Sequence, residues 1–212
     1  MPSVAQIRSG ASAQPVAPFE GAEWQPMFDG RSLSGWHVTD FEGHGRVECT
    51  SRLIVLNGGD PFTGIDWTNA PPSGNYEVAL EAMRVTGSDF FCGLTFPVRD
   101  SFCSLIVGGW GGNLVGLSSL DGYDASENET SRSLDFENGH WYRIRVRVTA
   151  ERIEAWIDAE RIINAVITGR RVSVRPGDIE LSKPLGICAW ETTAALRAIR
   201  LRPLPPADPA GQ

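Results

Sequence analysis

Apolar and polar side chains alternate along several stretches of the chain. In residues 141–149 every second position from 142 to 148 is apolar, and the three positions between them are arginine. A period of two is typical of a half-buried antiparallel strand. We expect the arginines to form ion pairs with glutamates on adjacent strands. The stretches 76–85 and 153–157 repeat the alternation, and short apolar runs predict further strands at 90–96, 102–107, 114–117, 185–190 and 196–201.

Residues typical of turns separate these strands, and no long stretch shows the 3.6-residue period of a helix. About a dozen short strands at close spacing are typical of a sandwich or a barrel, so we predict an all-β fold. Three longer irregular segments occur at 57–74, 118–138 and 170–183. Loops of this length in an all-β fold usually carry function or cover a sheet edge.

The length of 212 residues suits one sizeable core and is too short for two ordinary domains. Ser, Ala, Gln and Pro dominate the start of the chain, which predicts a flexible leader over residues 1–20. No apolar segment of signal-peptide type follows Arg8, so either the protein stays in the cytoplasm or an export signal lies outside this sequence. Prolines after Arg202 cannot continue a central strand. We therefore predict one domain at 21–204 and a Pro-rich tail at 205–212.

Charge and cysteine content narrow the classes of partner and site. The formal net charge is −7, which makes nucleic acid or an anionic membrane a poor partner. No apolar run reaches the roughly 18 residues that a membrane span needs. The four cysteines form neither a CxxC pair nor a zinc motif, so we expect buried free thiols. A disulfide between Cys92 and Cys103, which lie on neighbouring predicted strands, is the alternative.

Motifs at both ends of the predicted domain carry a resemblance to a known family. Residues 24–36 have the sequence WQPMFDGRSLSGW, and residues 196–204 have the sequence LRAIRLRPL. Between them come YEV at 76–78, GHWYRI at 139–144 and IEAWID at 153–158. Over residues 24–204 the chain resembles the bacterial 3-keto-disaccharide hydrolase domain family, formerly a domain of unknown function, whose members open with LFDGKSLDGW and close with FRNIRIKPL.

This resemblance implies a concanavalin-A-like jelly roll, a sandwich of two antiparallel sheets packed face to face. It also implies a carbohydrate-related role, with the cleavage of a glycosidic bond as the activity if the protein is an enzyme. Members of the family are usually exported.

Four acidic residues, Asp121, Asp124, Glu127 and Glu129, lie within the predicted loop 118–138. Glycoside hydrolysis needs two carboxylates, and Glu127 and Glu129 would share a face about 7 Å apart in an extended segment. Asp124, Glu127 and Glu129 are therefore candidate catalytic residues. Two alternatives stay open: a solvated acidic loop, and a calcium site at Asp121 and Asp124, since calcium takes several carboxylate oxygens. We expect no required cofactor apart from that calcium.

Tryptophans beside glycine and loop residues predict a sugar platform, because sugars stack their flat C–H faces on aromatic rings. The candidates are Trp110, which has two glycines on each side, Trp67 and Trp190. Two further candidates for substrate binding are Arg99 at a predicted hairpin tip and His44 in a glycine turn. Core packing is the alternative for the tryptophans, and a plain surface turn is the alternative for His44.

Three functions stay open for these residues. The first is a hydrolase that cleaves a glycosidic bond, which requires carboxylates that converge in one pocket. The second is a glycan-binding module without catalysis, which needs only an aromatic groove. The third is a structural or accessory domain with a metal in the acidic loop. For the first two we expect an oligosaccharide or polysaccharide ligand.

Overall fold

The strands predicted from the alternation and from the apolar runs form most of the two sheets. The structure is a computed structural model that describes Ile7, residues 14–50 and residues 52–205. The remaining parts of the predicted leader and tail lie outside the described residues. Within the described part, no helix is long and apolar enough to cross a membrane. The elements of this part are β1 (Gln25–Pro26), β2 (Trp36–Val38), β3 (Val47–Thr50), β4 (Leu53–Leu56), β5 (Phe62–Trp67), β6 (Tyr76–Thr86), β7 (Cys92–Val98), β8 (Ser101–Gly109), β9 (Leu114–Ser118), β10 (Arg132–Ser133), β11 (Trp141–Val148), β12 (Arg152–Ile157), β13 (Glu160–Val166), a 3-10 helix (Asp178–Ser182), β14 (Gly186–Trp190) and β15 (Thr193–Pro203).

The strands form two antiparallel sheets. The first sheet has the order β13-β12-β11-β6-β15-β4-β3, and β1 pairs with β15. The second sheet has the order β10-β9-β8-β7-β14-β5-β2. Several neighbours in a sheet, such as β7 and β14, come from distant parts of the chain, as is usual in a jelly roll. The prediction of an all-β, concanavalin-A-like jelly-roll sandwich is confirmed.

Side-chain alternation places one face of each sheet in a shared core. Ile144 and Val146 of β11 in the first sheet are buried in the same cluster as Leu94 and Phe96 of β7 in the second. Burial of each side chain of this size contributes about 1.5–3 kcal/mol to the free energy of folding. The shared core therefore holds the two sheets together.

Ion pairs cover the outer face of the first sheet. The carboxylate of Glu77 is fully buried and accepts hydrogen bonds from Arg145 at 3.2 Å, from Arg147 at 2.7 Å and from Arg202 at 2.6 Å. The predicted cross-strand pairing is thus confirmed for Arg145 and Arg147.

The described end of the predicted leader lies on the same face. The backbone N–H of Trp141 donates a hydrogen bond to the side-chain oxygen of Gln14 at 2.8 Å, and Arg143 donates one to the carbonyl of Pro18. Glu81 lies opposite Arg143 in the strand register but accepts a hydrogen bond from a different arginine. Arg143 therefore binds the leader and not a glutamate.

The outer face of the second sheet carries a separate apolar cluster beneath the long loops. Phe62 and Ile106 from the strands meet Ala125 and Val174 from the loops and Ile179 from the 3-10 helix. Segments at 118–138 and 170–183, predicted as irregular, therefore supply the cover of this face. The same prediction for 57–74 is wrong, because that segment contains β5, whose apolar pattern is interrupted by Gly64 and Asp66.

All four cysteines are free thiols. The disulfide alternative is wrong, because the register places Cys92 opposite Val107, four positions along β8 from Cys103. Burial is confirmed for Cys92, Cys103 and Cys188, while Cys49 is half-buried. Burial raises the pKa of Cys103 and Cys188 to about 12, and it also raises the pKa of Cys92.

Candidate functional site

An open cleft lies on the outer face of the second sheet, bordered by the long loops. Its volume is about 460 Å³. The lining residues come from distant parts of the chain, and the groups with chemistry relevant to a ligand are Asp89, Phe90, Trp110, Arg175, Asp178 and Trp190.

Trp110 lies at the turn between β8 and β9, where two glycines stand on each side of it. The backbone of Trp110 has a φ of 50°, and Gly108, Gly111 and Gly112 also have positive φ values. Such a backbone is accessible mainly to glycine, so the run of glycines permits the tight turn. The turn presents the indole to solvent, and Trp110 is 41% exposed.

Trp190 lies at the end of β14 on the same cleft. Its ring packs edge-on against Phe62, with ring centroids 4.6 Å apart, and lies 6.3 Å from the ring of Phe90. The two predicted platform residues that line the cleft are therefore Trp110 and Trp190. Together with the phenylalanines they provide apolar surface of the kind on which a sugar ring stacks.

Two carboxylates line the cleft. One oxygen of Asp89 accepts the backbone N–H of Phe90 at 2.7 Å, and the other accepts the N–H of Gly111 at 3.3 Å. Asp178 begins the 3-10 helix and is exposed, and its side chain has no hydrogen bond or ion pair with the described residues. Asp89 thus has its orientation set by the backbone, while both oxygens of Asp178 are available to a ligand.

Arg175 adds a positive charge to the same cleft. Its guanidinium carbon lies 5.9 Å from the ring centroid of Trp110, and one of its nitrogens lies 3.3 Å from a carboxylate oxygen of Asp124. This arginine, Arg175, links the acidic loop to the cleft. Asp124 approaches the cleft through that ion pair and does not line it.

The other acidic residues of the loop lie away from the cleft lining. Glu127 is exposed, and Glu129 and Asp121 both bind the guanidinium of Arg170. Hydrogen bonds from Arg170 lower the pKa of Asp121 and of Glu129. Glu127 and Glu129 therefore do not converge in a shared pocket, and Glu129 is held in its ionised form.

Three further candidate binding residues also lie outside the cleft lining. The ring of Trp67 packs edge-on against Trp36, with centroids 5.1 Å apart, at the margin of the main core. Arg99 donates two hydrogen bonds to the carbonyl of Ala150, at 3.0 and 2.7 Å. His44 is exposed in its turn, and its Nδ1 lies 2.9 Å from the carbonyl of the next residue.

In the described part of the chain, no group of three or more His, Cys, Asp or Glu side chains is placed to hold a metal ion. The two residues predicted for calcium bind different arginines: Asp121 binds Arg170, and Asp124 binds Arg175. Each carboxylate therefore already has a positive partner.

Three charged residues of the cleft are absent from the candidates named from the sequence: Asp89, Arg175 and Asp178. Arg175 and Asp178 lie in the predicted loop 170–183, and the length of that loop is the signal that points to them. Asp89 follows β6 in a short connection without a distinguishing pattern. Its proximity to Trp110 depends on the pairing of strands.

Sequence comparison identifies a family for nearly the whole chain. Residues 23–202 match the 3-keto-alpha-glucoside-1,2-lyase-like domain. The match confirms the resemblance carried by the terminal motifs. Among curated proteins, no sequence matches the chain significantly.

Solved structures share the fold at low sequence identity. Carbohydrate-binding module CBM66 from Bacillus subtilis is 14% identical with a TM-score of 0.50, and the match covers 78% of this chain and 93% of that chain. The VIP36 exoplasmic/lumenal domain in its Ca²⁺/Man3GlcNAc-bound form is 12% identical with a TM-score of 0.55, and the match covers 84% and 87%. The Crh5 transglycosylase in complex with NAG is 12% identical with a TM-score of 0.57, and the match covers 88% and 86%. At these identities the likeness shows a common fold.

Proposed function

The chain belongs to the 3-keto-alpha-glucoside-1,2-lyase-like domain family, and from that membership we propose that it binds a sugar in the cleft between Trp110 and Trp190 and breaks a glycosidic bond there. The observation that carries the proposal is the meeting of two tryptophans and two carboxylates in one open cleft. The ligand is an oligosaccharide or a glucoside, which stacks on the indoles and donates hydroxyl hydrogen bonds to the carboxylates.

Cleavage of a 3-keto-glucoside needs a base close to the sugar ring. A ketone at C3 acidifies the hydrogen on C2, so removal of that proton and departure of the C1 oxygen form a C1=C2 double bond. The departing oxygen takes up the proton that the base removed, or one from water in the open cleft. Hydrolysis instead adds water at C1, and it likewise needs a group that moves a proton.

Asp178 is the carboxylate that we assign as this base. Neither of its oxygens has a hydrogen bond or an ion pair with the described residues, so both are available to a bound sugar. Asp89 holds its position through two backbone N–H groups and is better suited to accept a sugar hydroxyl. Asp124 supports the site by orienting Arg175. The exposed Glu127 and the arginine-bound Glu129 fit the role of base less well.

A glycan-binding module without catalysis is the second candidate. It is favoured by the openness of the aromatic cleft and by the shared fold with CBM66, which is a carbohydrate-binding module. Calcium at the acidic loop is a further proposal, because the fold is also that of the Ca²⁺-bound VIP36 domain. These possibilities differ in what an assay would detect: turnover for a lyase or hydrolase, and binding alone for a module.

The first experiment measures binding. Wild type is titrated with methyl 3-keto-glucosides, with the parent glucosides and, separately, with calcium, by calorimetry and thermal shift. Trp110→Ala is expected to weaken sugar binding about tenfold or more, since a stacked ring contributes about 1.5 kcal/mol. Tyr123→Ala is the matched control, because Tyr123 is 60% exposed and lies outside the cleft lining. Equal sugar binding by both variants would refute the assignment of the sugar site to this cleft. Stabilisation by calcium alone would favour the metal alternative.

The second experiment separates binding from catalysis. Asp178→Asn is expected to lower turnover by about 10²- to 10⁴-fold, the usual contribution of a positioned base, while sugar binding persists. Asp135→Asn, an exposed carboxylate outside the cleft lining, is the control. Mass spectrometry identifies the reaction, because the sugar released by elimination is lighter by one water than the hydrolysis product. A loss of turnover in Glu127→Gln and not in Asp178→Asn would show that the base lies in the acidic loop. Sugar binding without turnover in wild type would favour the glycan-binding module.

A further inference from the structure

A buried arginine lies beneath the turn that carries Trp110. Arg84 is near the end of β6 and is only 7% exposed. It has the same parity along the strand as Leu80 and Ala82, which face the core between the sheets. The side chain therefore reaches from the inner face of the first sheet towards the second.

The guanidinium of Arg84 binds three neutral acceptors. It donates to the carbonyl of Gly112 at 3.0 Å, to the carbonyl of Phe136 at 2.6 Å and to the side-chain oxygen of Asn138 at 2.6 Å. Burial lowers the pKa of Arg84, and the charge of Asp89, which lies beyond ion-pair distance, offsets part of that effect. No carboxylate of the described residues lies within ion-pair distance of this guanidinium. A buried cation without an ion pair is costly, so its retention calls for an explanation.

The turn above Arg84 has little rigidity of its own. Glycine has no side chain to restrict the backbone, and a run of glycines loses much conformational entropy when it is ordered. Within the turn, the N–H of Gly112 donates to the carbonyl of Gly109 at 3.2 Å. Two side chains add to this bond from outside: Asp89 accepts the N–H of Gly111, and Arg84 donates to the carbonyl of Gly112.

We propose that Arg84 is a positioning residue that fixes the Trp110 ring in its sugar-binding orientation, by fastening the carbonyl of Gly112 to the segment at Phe136 and Asn138. This inference rests on the proposed function for the role of the ring, but the fastening itself does not depend on a ligand. A guanidinium suits the task because its planar fork holds several acceptors at once in a fixed geometry. Lysine at the same position keeps the charge and loses that fork.

The test follows the Trp110 ring directly. The protein is labelled with 5-fluorotryptophan, and the ¹⁹F resonance of Trp110 is assigned from the spectrum of Trp110→Phe. Without ligand, Arg84→Lys is expected to shift or broaden this resonance and leave the other six tryptophans unchanged. Arg197→Lys is the matched control, since Arg197 is also a buried arginine but binds Glu81 on the outer face of the first sheet. An unchanged Trp110 resonance in folded Arg84→Lys would overturn the proposal.

A milder variant covers the case in which Arg84→Lys fails to fold. Asn138→Ala removes one acceptor of the guanidinium from an exposed position and leaves both Arg84 and the turn intact. We expect a smaller change of the same single resonance. If Asn138→Ala and Arg84→Lys both leave the Trp110 signal sharp and unmoved, Arg84 has only a packing role.

The consequence for the ligand is measured with a methyl 3-keto-glucoside as the probe. Arg84→Lys is expected to raise its Kd about three- to tenfold, the loss typical of ordering one side chain on binding. In the Trp110→Ala background the same substitution is expected to have no further effect, because the ring through which it acts is gone. A wild type that binds no sugar would refute the proposed function alone, whereas sugar binding that Arg84→Lys leaves unchanged would refute the positioning role.

Discussion

Replacement of Glu77 by glutamine is expected to destabilise the fold strongly, because this buried carboxylate neutralises three arginines at once. It is fully buried, and the exposed fractions of the side chains of Arg145, Arg147 and Arg202 are 12%, 34% and 13%. Hydrogen bonds to a charged group contribute about 1.5–3 kcal/mol each. Glutamine keeps one acceptor oxygen but removes the charge that the three arginines share, and what remains is Glu154 beside Arg147 at 3.5 Å and the exposed Glu20 beside Arg145. We therefore expect a loss of about 3–5 kcal/mol.

The loss is measured as the change in the free energy of unfolding, by urea titration followed with circular dichroism. At about 2–4 °C per kcal/mol for a chain of this size, the melting temperature should fall by roughly 6–20 °C. Glu20→Gln is the matched control, because Glu20 is 89% exposed and lies 3.8 Å from the same Arg145. We expect little change in the control. A loss of less than about 1 kcal/mol in Glu77→Gln would contradict this expectation, since the arginines would then be stable without their shared carboxylate.

Two further predictions concern the thiols and the response to acid. In the folded protein at about pH 8, a thiol reagent should react first with Cys49 and with all four cysteines only in denaturant; burial raises the pKa of all four thiols, but Cys49 is half-buried and the other three are fully buried. Reaction of a second thiol as fast as that of Cys49, seen by mass spectrometry, would contradict this. Arg170 lowers the pKa of Asp121 and Glu129, so the stability that it contributes is present above their ordinary pKa values and is lost as the pH falls through the lowered ones. Arg170→Gln should therefore be less stable than wild type at neutral pH in urea unfolding, and the difference should shrink as the pH falls below the ordinary carboxyl pKa values of about 4. A difference that stays undiminished in acid would contradict the assignment.

The ion pairs of the first sheet could be predicted from the sequence because they depend on local geometry. Arginines at every second position of a strand point to one face, and glutamates on the neighbouring strand meet them there. The pairing of Arg147 with Glu77 is of this kind, and the register places the two residues opposite each other. Arg143 differs because it donates a hydrogen bond to the carbonyl of Pro18, in the predicted leader, and no local pattern predicts where that segment lies.

The candidate site was predictable only in part. Trp110 and Trp190 stand out in the sequence by their glycine or loop neighbours, and both line the cleft. Trp67 has a similar setting in the sequence, yet it packs against Trp36. Whether a tryptophan beside a turn faces solvent or the core depends on its position along the strand and on which sheet packs against that strand. The residue pattern alone does not distinguish the two outcomes.

Period-two alternation and short apolar runs predicted most of the long strands, because they act over a few residues. The motifs at both ends of the domain carried the family and, through it, the two-sheet sandwich, whereas β5 lies in a segment predicted as irregular. Which charged groups share a cleft with the tryptophans depends on the pairing of distant strands. Asp89, Trp110, Asp178 and Trp190 are far apart along the chain, and the order β8-β7-β14 of the second sheet brings them together. Among the acidic residues at 121–129, Asp121 and Glu129 share Arg170 and Asp124 binds Arg175, because the loop that carries them folds back on the segment 170–175. Spacing along a chain predicts which side chains share a strand face, whereas the pairing of distant strands decides which of them meet.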